Sequence, residues 1–224
     1  MTVSDVALRL PSVPELRDLC RSLAMLDAIL SPEWEGRYHS FDAGWAEGEE
    51  LASLRNGSGD EYCVVFSAAG AVVRGFDHEA PMSPYANDAE PWPGVLDEVP
   101  EVFGRSVADP AFTDEDGVPA VTACLWRAVT DDRWQHGAID FPAGHPDPDG
   151  ADRLFGLLVD RSPEAFRRFA EDYYEVPVDL AALRAVYALR PLTGELVAAL
   201  NPEIGLADLA GDIAAIGYPQ AGPR

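Results

Sequence analysis

The fold is decided by the stretch E-Y-C-V-V-F-S-A-A-G-A-V-V-R-G-F at residues 61–76. Two runs rich in β-branched and aromatic residues, 61–66 and 71–76, flank a glycine turn of the kind that joins hairpin strands. A third run, 50–55, comes before the turn N-G-S-G at 56–59. Three short strands joined by such turns predict an antiparallel meander.

Further strands are predicted on both sides of this meander. Residues 37–41 could form a strand before it. The second predicted hairpin, 121–129 with 134–139, extends the meander to a sheet of about five strands. Residues 77–118 are irregular and rich in proline and acid, with a short helix expected around 95–107. A loop this long inside a compact domain is usually functional or mobile, so it is either a binding surface or a lid over the sheet.

Helical spacing of apolar residues replaces the strand pattern at both ends of the chain. Leucines recur at that spacing behind a capping pattern at Ser12, which predicts an N-terminal helix that ends at Ser31 and Pro32. Beyond residue 149, start signals at Ser162, Asp179 and Thr193, together with stop signals, predict four or five short helices. They are expected at 151–159, 163–174, 180–189, 195–200 and 206–216.

The order of these elements favours an α+β fold. A strand-rich part, 33–142, is followed by a helical part, 149–217, instead of alternating with it. Short helices rarely bury their apolar faces alone, so we expect a single domain over 1–224 in which they cover one face of the sheet. Only the first ten residues and 220–224 are expected to be loose.

The charge balance excludes several classes of partner. The chain has 39 acidic and 16 basic residues, and a formal net charge of −23. Nucleic-acid binding depends on basic side chains that release counterions, so no nucleic acid is expected as a ligand. Anionic membranes are disfavoured for the same reason. A basic protein partner, a cation, or no electrostatic partner remain open, and no particular oligomeric state is indicated.

Residue types that are missing exclude further chemistry. The sequence contains no lysine, which rules out a P-loop, a pyridoxal Schiff base and the S-x-x-K nucleophile, and we expect no cofactor. The three cysteines lie far apart among apolar neighbours and are typical of buried thiols in a reducing compartment. No signal peptide or membrane span is recognisable, so a cytoplasmic location is expected.

Four segments carry a resemblance that spans most of the chain. They are N-G-S-G-D-E-Y at 56–62, G-F-D-H-E at 75–79, P-W-P-G at 91–94 and I-G-Y-P at 216–219. With them the chain resembles a group of uncharacterised bacterial proteins from high-GC genomes. The resemblance implies no reaction; composition and size add an analogy to acidic immunity-type proteins.

The candidate catalytic residues are Asp77, His78 and Glu79, which directly follow a predicted strand. An imidazole beside carboxylates can act in acid–base chemistry or in a metal shell. Adjacent residues on an extended chain point in alternate directions, so the three need another segment to converge. Weaker metal candidates are scattered around the second predicted hairpin, without a known ligand spacing. They are His136, Asp140 and His145.

The candidate partner-binding residues fall in two places. Tyr85 and Trp92 lie on proline-stiffened backbone, where rigid aromatics suit interface anchors or, equally, fold back over the sheet. Glu171, Asp172 and Glu175 crowd acid at a helix C-terminus, where the helix dipole disfavours it. Arginines one turn earlier would offset that charge, or a cationic partner would.

Three functions are compatible with these features. The leading hypothesis is a non-enzymatic, acidic binding or inhibitor protein of immunity type that engages a basic protein partner. The second is a small acid–base or metal-assisted hydrolase centred on Asp77, His78 and Glu79. The third is a DNA mimic, whose carboxylates would copy the spacing of phosphates.

Overall fold

A computed structural model describes residues 1–114 and 117–220 of the chain. Within these residues it contains one antiparallel sheet of five strands and eight α-helices, which confirms the predicted α+β class and the N-terminal helix. None of the described helices is both long and apolar enough to cross a bilayer.

The five strands follow one another in the sheet in chain order, β1-β2-β3-β4-β5. Val64 of the third strand pairs with Val73 of the fourth, and Val73 pairs with Leu125 of the fifth. The strands are β1 (His39–Ala46), β2 (Glu49–Arg55), β3 (Glu61–Ser67), β4 (Gly70–Phe76) and β5 (Ala123–Ala128).

Side chains cap three of the helices, as their sequences predict. Ser162, Asp179 and Thr193 each accept a hydrogen bond from the backbone N–H three residues further on. The helices are α1 (Val3–Ala7), α2 (Val13–Leu30), α3 (Gly104–Val107), α4 (Ala151–Val159), α5 (Pro163–Tyr173), α6 (Leu180–Tyr187), α7 (Gly194–Leu200) and α8 (Ala210–Ile216).

The prediction of a strand at 134–139 is wrong, and β1 takes its place in the count of five. Only an isolated bridge joins Gln135 to Trp126 of β5. The ladder stops there because Gly137 lies against the backbone of Gly94, so close that a Cβ atom on it would be 1.9 Å from the Gly94 carbonyl oxygen. Residues 137–139 therefore lie against Gly94, and within the described residues they add no further pair to β5.

Other expectations about the ends of elements are also corrected. The first ten residues are not loose: α1 is buried at Val3 and Val6, and the Val3 N–H donates to the buried Asp149. The helix around 95–107 is reduced to a 3-10 turn and the single turn of α3. The helix expected from 206 begins at Ala210. The prediction of a loose 220–224 falls mainly on 221–224, which lie outside the described residues.

The chain divides into two compact units. Unit 1 comprises residues 1–13 and 53–159, and unit 2 comprises 14–52 and 160–224. A single domain over 1–224, and the covering of one sheet face by the C-terminal helices, stay predictions.

In unit 1 the two faces of β4 have different covers. On one face Gly75 lies against α4, where the ring of Phe155 also contacts Tyr62. On the other face the ring of Tyr85 stands edge-on against Phe76, with the centroids 5.7 Å apart, and Phe112 covers Arg74. The described part of 77–122, which we call the lid, therefore packs on the sheet of unit 1.

Unit 2 is built around α2 and an aromatic cluster. The buried Asp27 of α2 accepts hydrogen bonds from the backbone N–H and the ring of His39, at the start of β1. Tyr38 contacts Phe169 and Tyr173 of α5, whose rings stack on each other. The cluster holds the start of β1 against α5.

The packing at Gly75 gives a test of the fold of unit 1. A Cβ atom there would lie 2.6 Å from Cζ of Phe155 and 2.9 Å from Cδ1 of Leu154. We expect Gly75→Ala to lower the free energy of unfolding by about 1–3 kcal/mol, because α4 must shift away from the sheet. The measurement is urea denaturation followed by circular dichroism.

Gly156, on the same helix, is the matched control for Gly75. No heavy atom of the described structure outside the helix's own backbone lies within 4 Å of its added Cβ. Gly156→Ala is expected to raise the free energy of unfolding by about 0.5–1 kcal/mol, through helix propensity alone. Equal effects of the two substitutions would contradict the packing described here.

Candidate functional site

The candidate site of unit 1 is organised by the carboxylate of Asp60, whose side chain is 2% exposed. Its Oδ1 accepts from the backbone N–H of His78 at 3.1 Å and from Nδ1 of the same ring at 2.7 Å. Its Oδ2 accepts from Asn56 at 2.6 Å and lies 2.9 Å from Nη2 of Arg153. Burial raises the pKa of Asp60, but the hydrogen bonds from His78 and Asn56 and the charge of Arg153 outweigh it. The net pKa lies below the usual value, so the carboxyl is ionised at neutral pH.

His78 is held in one tautomer by this contact. A carboxylate only accepts hydrogen bonds, so Nδ1 of the ring carries the proton and Nε2 keeps its lone pair in the neutral ring. The side chain of His78 is 37% exposed while its carboxylate partner is buried. An oriented, accessible imidazole of this kind can accept a proton from a substrate or from water.

Asp77 and Glu79, the other two candidate catalytic residues, are placed differently. Oδ1 of the buried Asp77 lies 2.7 Å from Nη2 of Arg153, whereas Glu79 is exposed and reaches Arg153 only at 4.0 Å. The approach of Asp77 requires Gly150, which has φ +72°, because a Cβ there would lie 2.3 Å from Cβ of Asp77. Asp77 and His78 thus share one site, and Glu79 lies at its margin.

The same residues fit a metal ion poorly. Asp60, Asp77 and His78 form the one group of three potential ligands within 4.8 Å of one another among residues 1–114 and 117–220. One nitrogen of Arg153 already bridges both carboxylates. The Nδ1 of His78 faces Asp60, so a metal ion at that position would have to displace a proton and a guanidinium. The arrangement suits acid–base chemistry better than metal-assisted chemistry.

The weaker metal candidates do not come together with this group. His136 contacts the carbonyl oxygen of Gly137 through Nδ1 at 2.7 Å. Asp140 and His145 are exposed. None of the three belongs to the group of potential ligands that the described residues form.

The two aromatic candidates lie on the lid. The hydroxyl of Tyr85 donates to Asp114 at 3.0 Å, and the side chain is 58% exposed. Nε1 of Trp92 donates to the carbonyl oxygen of Asp140 at 3.0 Å. Both side chains are tied to unit 1, and Tyr85 also presents surface to solvent.

The acidic candidates form an open depression in unit 2. We call it the acidic depression; it is lined by Glu171, Asp172, Glu175, Val176 and Pro177. Arg167 reaches Glu171 at 4.0 Å, but Arg168 is paired with Asp160. In the part of the chain that the structure describes, no hydrogen bond or ion pair reaches the side chains of Asp172 and Glu175.

Arg74 of β4 is a buried cation beneath the lid, at 3% exposure. Its Nη2 donates to the Phe112 carbonyl oxygen at 3.3 Å, and its guanidinium lies 5.0 Å from the centre of the Phe112 ring. Among the described residues, Nε and Nη1 have no hydrogen-bond partner. Burying the ion costs several kcal/mol. One charged hydrogen bond returns about 1.5–3 kcal/mol and the ring about 2 kcal/mol, while each unsatisfied group costs about 1–3 kcal/mol.

Sequence reasoning missed Asp60, Arg153 and Arg74. Asp60 follows a glycine-rich turn and was indistinguishable from a turn residue, and Arg153 has the appearance of a helix-surface charge. Arg74 was the one detectable case, since a charged residue interrupts an otherwise apolar strand, A-V-V-R-G-F.

Together the fold and the site describe an acidic α+β protein with an Asp–His pair beside an arginine. No protein-family model matches the chain, and no curated protein or solved structure shows significant similarity to it.

The buried Asp149 generates a pH prediction. Burial is the main cause that raises its pKa to about 6, although Val3 and Ala151 donate backbone N–H groups to it. A raised pKa means that the folded state favours the protonated carboxyl. The stability that the protonated carboxyl of Asp149 contributes is therefore fully present below the unfolded-state pKa, near 4, and is lost as the pH rises through 6.

We accordingly expect wild-type protein to lose up to about 3 kcal/mol of unfolding free energy relative to Asp149→Asn between pH 4 and pH 7. The measurement is urea denaturation of both proteins across this range. A difference that does not change with pH would show that Asp149 titrates normally.

Proposed function

We propose that this protein binds a basic protein partner through the acidic depression, as a non-enzymatic inhibitor or immunity-type protein. The observation that supports the proposal most directly is the charge of Asp172 and Glu175, which no side chain of the described residues neutralises, beside the apolar side chains of Val176 and Pro177. Arginine and lysine match such a surface, because their stems cover apolar groups while their charged ends reach carboxylates.

The position of these carboxylates adds to the proposal. Glu171 and Asp172 occupy the last turn of α5, where the helix dipole disfavours each negative charge by about 0.3–1 kcal/mol. A cation bound at the helix C-terminus would relieve this cost. Because Arg168 pairs with Asp160, Arg167 is the only described arginine that places a positive charge beside these carboxylates.

The test compares two triple variants with the same change in net charge. Glu171→Gln, Asp172→Asn and Glu175→Gln together remove the acidic depression, whereas Glu33→Gln, Glu35→Gln and Glu47→Gln remove exposed carboxylates elsewhere in unit 2. A partner captured from the native lysate should be retained by wild type and by the second variant, and be lost from the first. We expect an affinity loss of about tenfold or more, since each rim charge contributes up to about 1 kcal/mol.

The salt dependence and the identity of the partner decide the remaining alternatives. Retention unchanged at about 1 M salt, where the Debye length is about 3 Å, would contradict electrostatic binding. Equal loss from both triple variants would show that only net charge matters. If the captured protein binds DNA, and DNA competes with the chain for it, the function is that of a DNA mimic.

The geometry at His78 favours a second function, general acid–base catalysis. The Asp60–His78 contact at 2.7 Å orients a ring that solvent can reach. The three carboxylates around Arg153 leave the site with a net negative charge, which favours a neutral or cationic substrate. Hydrolysis of an ester or amide is the reaction class that such an imidazole serves.

The second function is tested with a panel of p-nitrophenyl esters and peptide amides. We expect His78→Gln to lower any hydrolysis by about 100-fold. His136→Gln is the matched control, because among the described residues the ring of His136 hydrogen-bonds only to the carbonyl oxygen of Gly137. This substitution should leave the rate unchanged. Hydrolysis that persists in His78→Gln, or that falls equally in both variants, would contradict this second function.

A further inference from the structure

We propose that unit 1 binds a small carboxylate ligand beneath the lid, at the guanidinium of Arg74. The proposal is independent of the acidic depression and of His78. It starts from a cation that is almost fully buried and has two donor nitrogens without a partner in residues 1–114 and 117–220.

The protein groups that the structure describes around Arg74 do not supply a counter-charge. Its cross-strand neighbours on the same face of the sheet are Cys63 of β3 and Cys124 of β5. Burial raises the pKa of both thiols to about 12, so they are neutral at physiological pH. Phe112 offers a carbonyl oxygen and a ring face. No ion pair joins Arg74 to an acidic side chain of the described residues.

Charge and shape together select a carboxylate as the ligand. A guanidinium presents its N–H groups in a planar fork, which matches the two oxygens of a carboxylate. The described neighbours of the guanidinium are two thiols and the ring of Phe112, so a singly charged anion is easier to desolvate there than a phosphate dianion. An apolar group attached to the carboxylate would find the ring of Phe112, which is 9% exposed.

The experiment measures thermal unfolding with sodium acetate against sodium chloride at equal ionic strength and pH 7. We expect acetate to raise the Tm of wild type saturably, by about 2–4 °C at several times its dissociation constant. Arg74→Met should show no such rise, and it should fold, because an apolar side chain replaces a buried charge. A wild-type Tm that does not depend on acetate would overturn the proposal.

Arg127→Met is the matched control for the loss of one positive charge. Arg127 lies on β5, where its guanidinium donates to the carbonyl oxygens of Asp131 and Asp132. This variant should respond to acetate as wild type does. An equal response of Arg74→Met would show that acetate binds elsewhere, and an Arg74-dependent response to inorganic phosphate alone would show that the carboxylate class is wrong.

A second measurement does not depend on any variant. The Nε–H resonance of Arg74 in a ¹H–¹⁵N spectrum of wild-type protein should shift saturably as acetate replaces chloride. A resonance that stays constant across the titration would overturn the proposal even if the Tm rises.

Discussion

The carboxylate of Asp60 is the group on which the candidate site of unit 1 depends. An ionised carboxyl that is almost removed from water is stable only when donors surround it. Three segments provide them: Asn56 from the turn after β2, His78 from the end of β4, and Arg153 from α4. The three segments meet at one carboxylate, which fixes the tautomer of His78 and holds the guanidinium of Arg153 in place.

Unit 2 contains the same arrangement in a different environment. One oxygen of Asp27 accepts from both the backbone N–H and Nδ1 of His39, at 2.6 and 2.9 Å, as Asp60 does with His78. The two pairs fix the chain at the start of β1 and beyond the end of β4. His39 is 2% exposed, however, so a substrate cannot reach it. Exposure, and not the pair itself, is what makes His78 a candidate for chemistry.

The sequence predicts those elements whose cause is local. The meander at 61–76 and the caps Ser162, Asp179 and Thr193 depend on near neighbours, and they appear as expected. The expected strand at 134–139 is absent because Gly137 meets Gly94, a contact that periodicity does not contain. The same limit applies to the site. Asp77 and His78 indicated that another segment was needed, but Asp60 is 18 positions before His78, and Arg153 lies 75 positions after His78, on α4.

The net charge of −23 and the buried Arg74 carry different weight as indicators of binding. An exposed carboxylate without a partner is hydrated and screened, so it gains or loses at most about 1 kcal/mol from an ion pair. A buried guanidinium without a counter-charge has no water to replace the missing interaction, and the cost is several kcal/mol. The acidic depression would therefore support only a salt-sensitive association, for which many partners would suffice. Arg74 has two buried donors without a partner among the described residues, and it is the more selective of the two signals because solvent does not reach those donors.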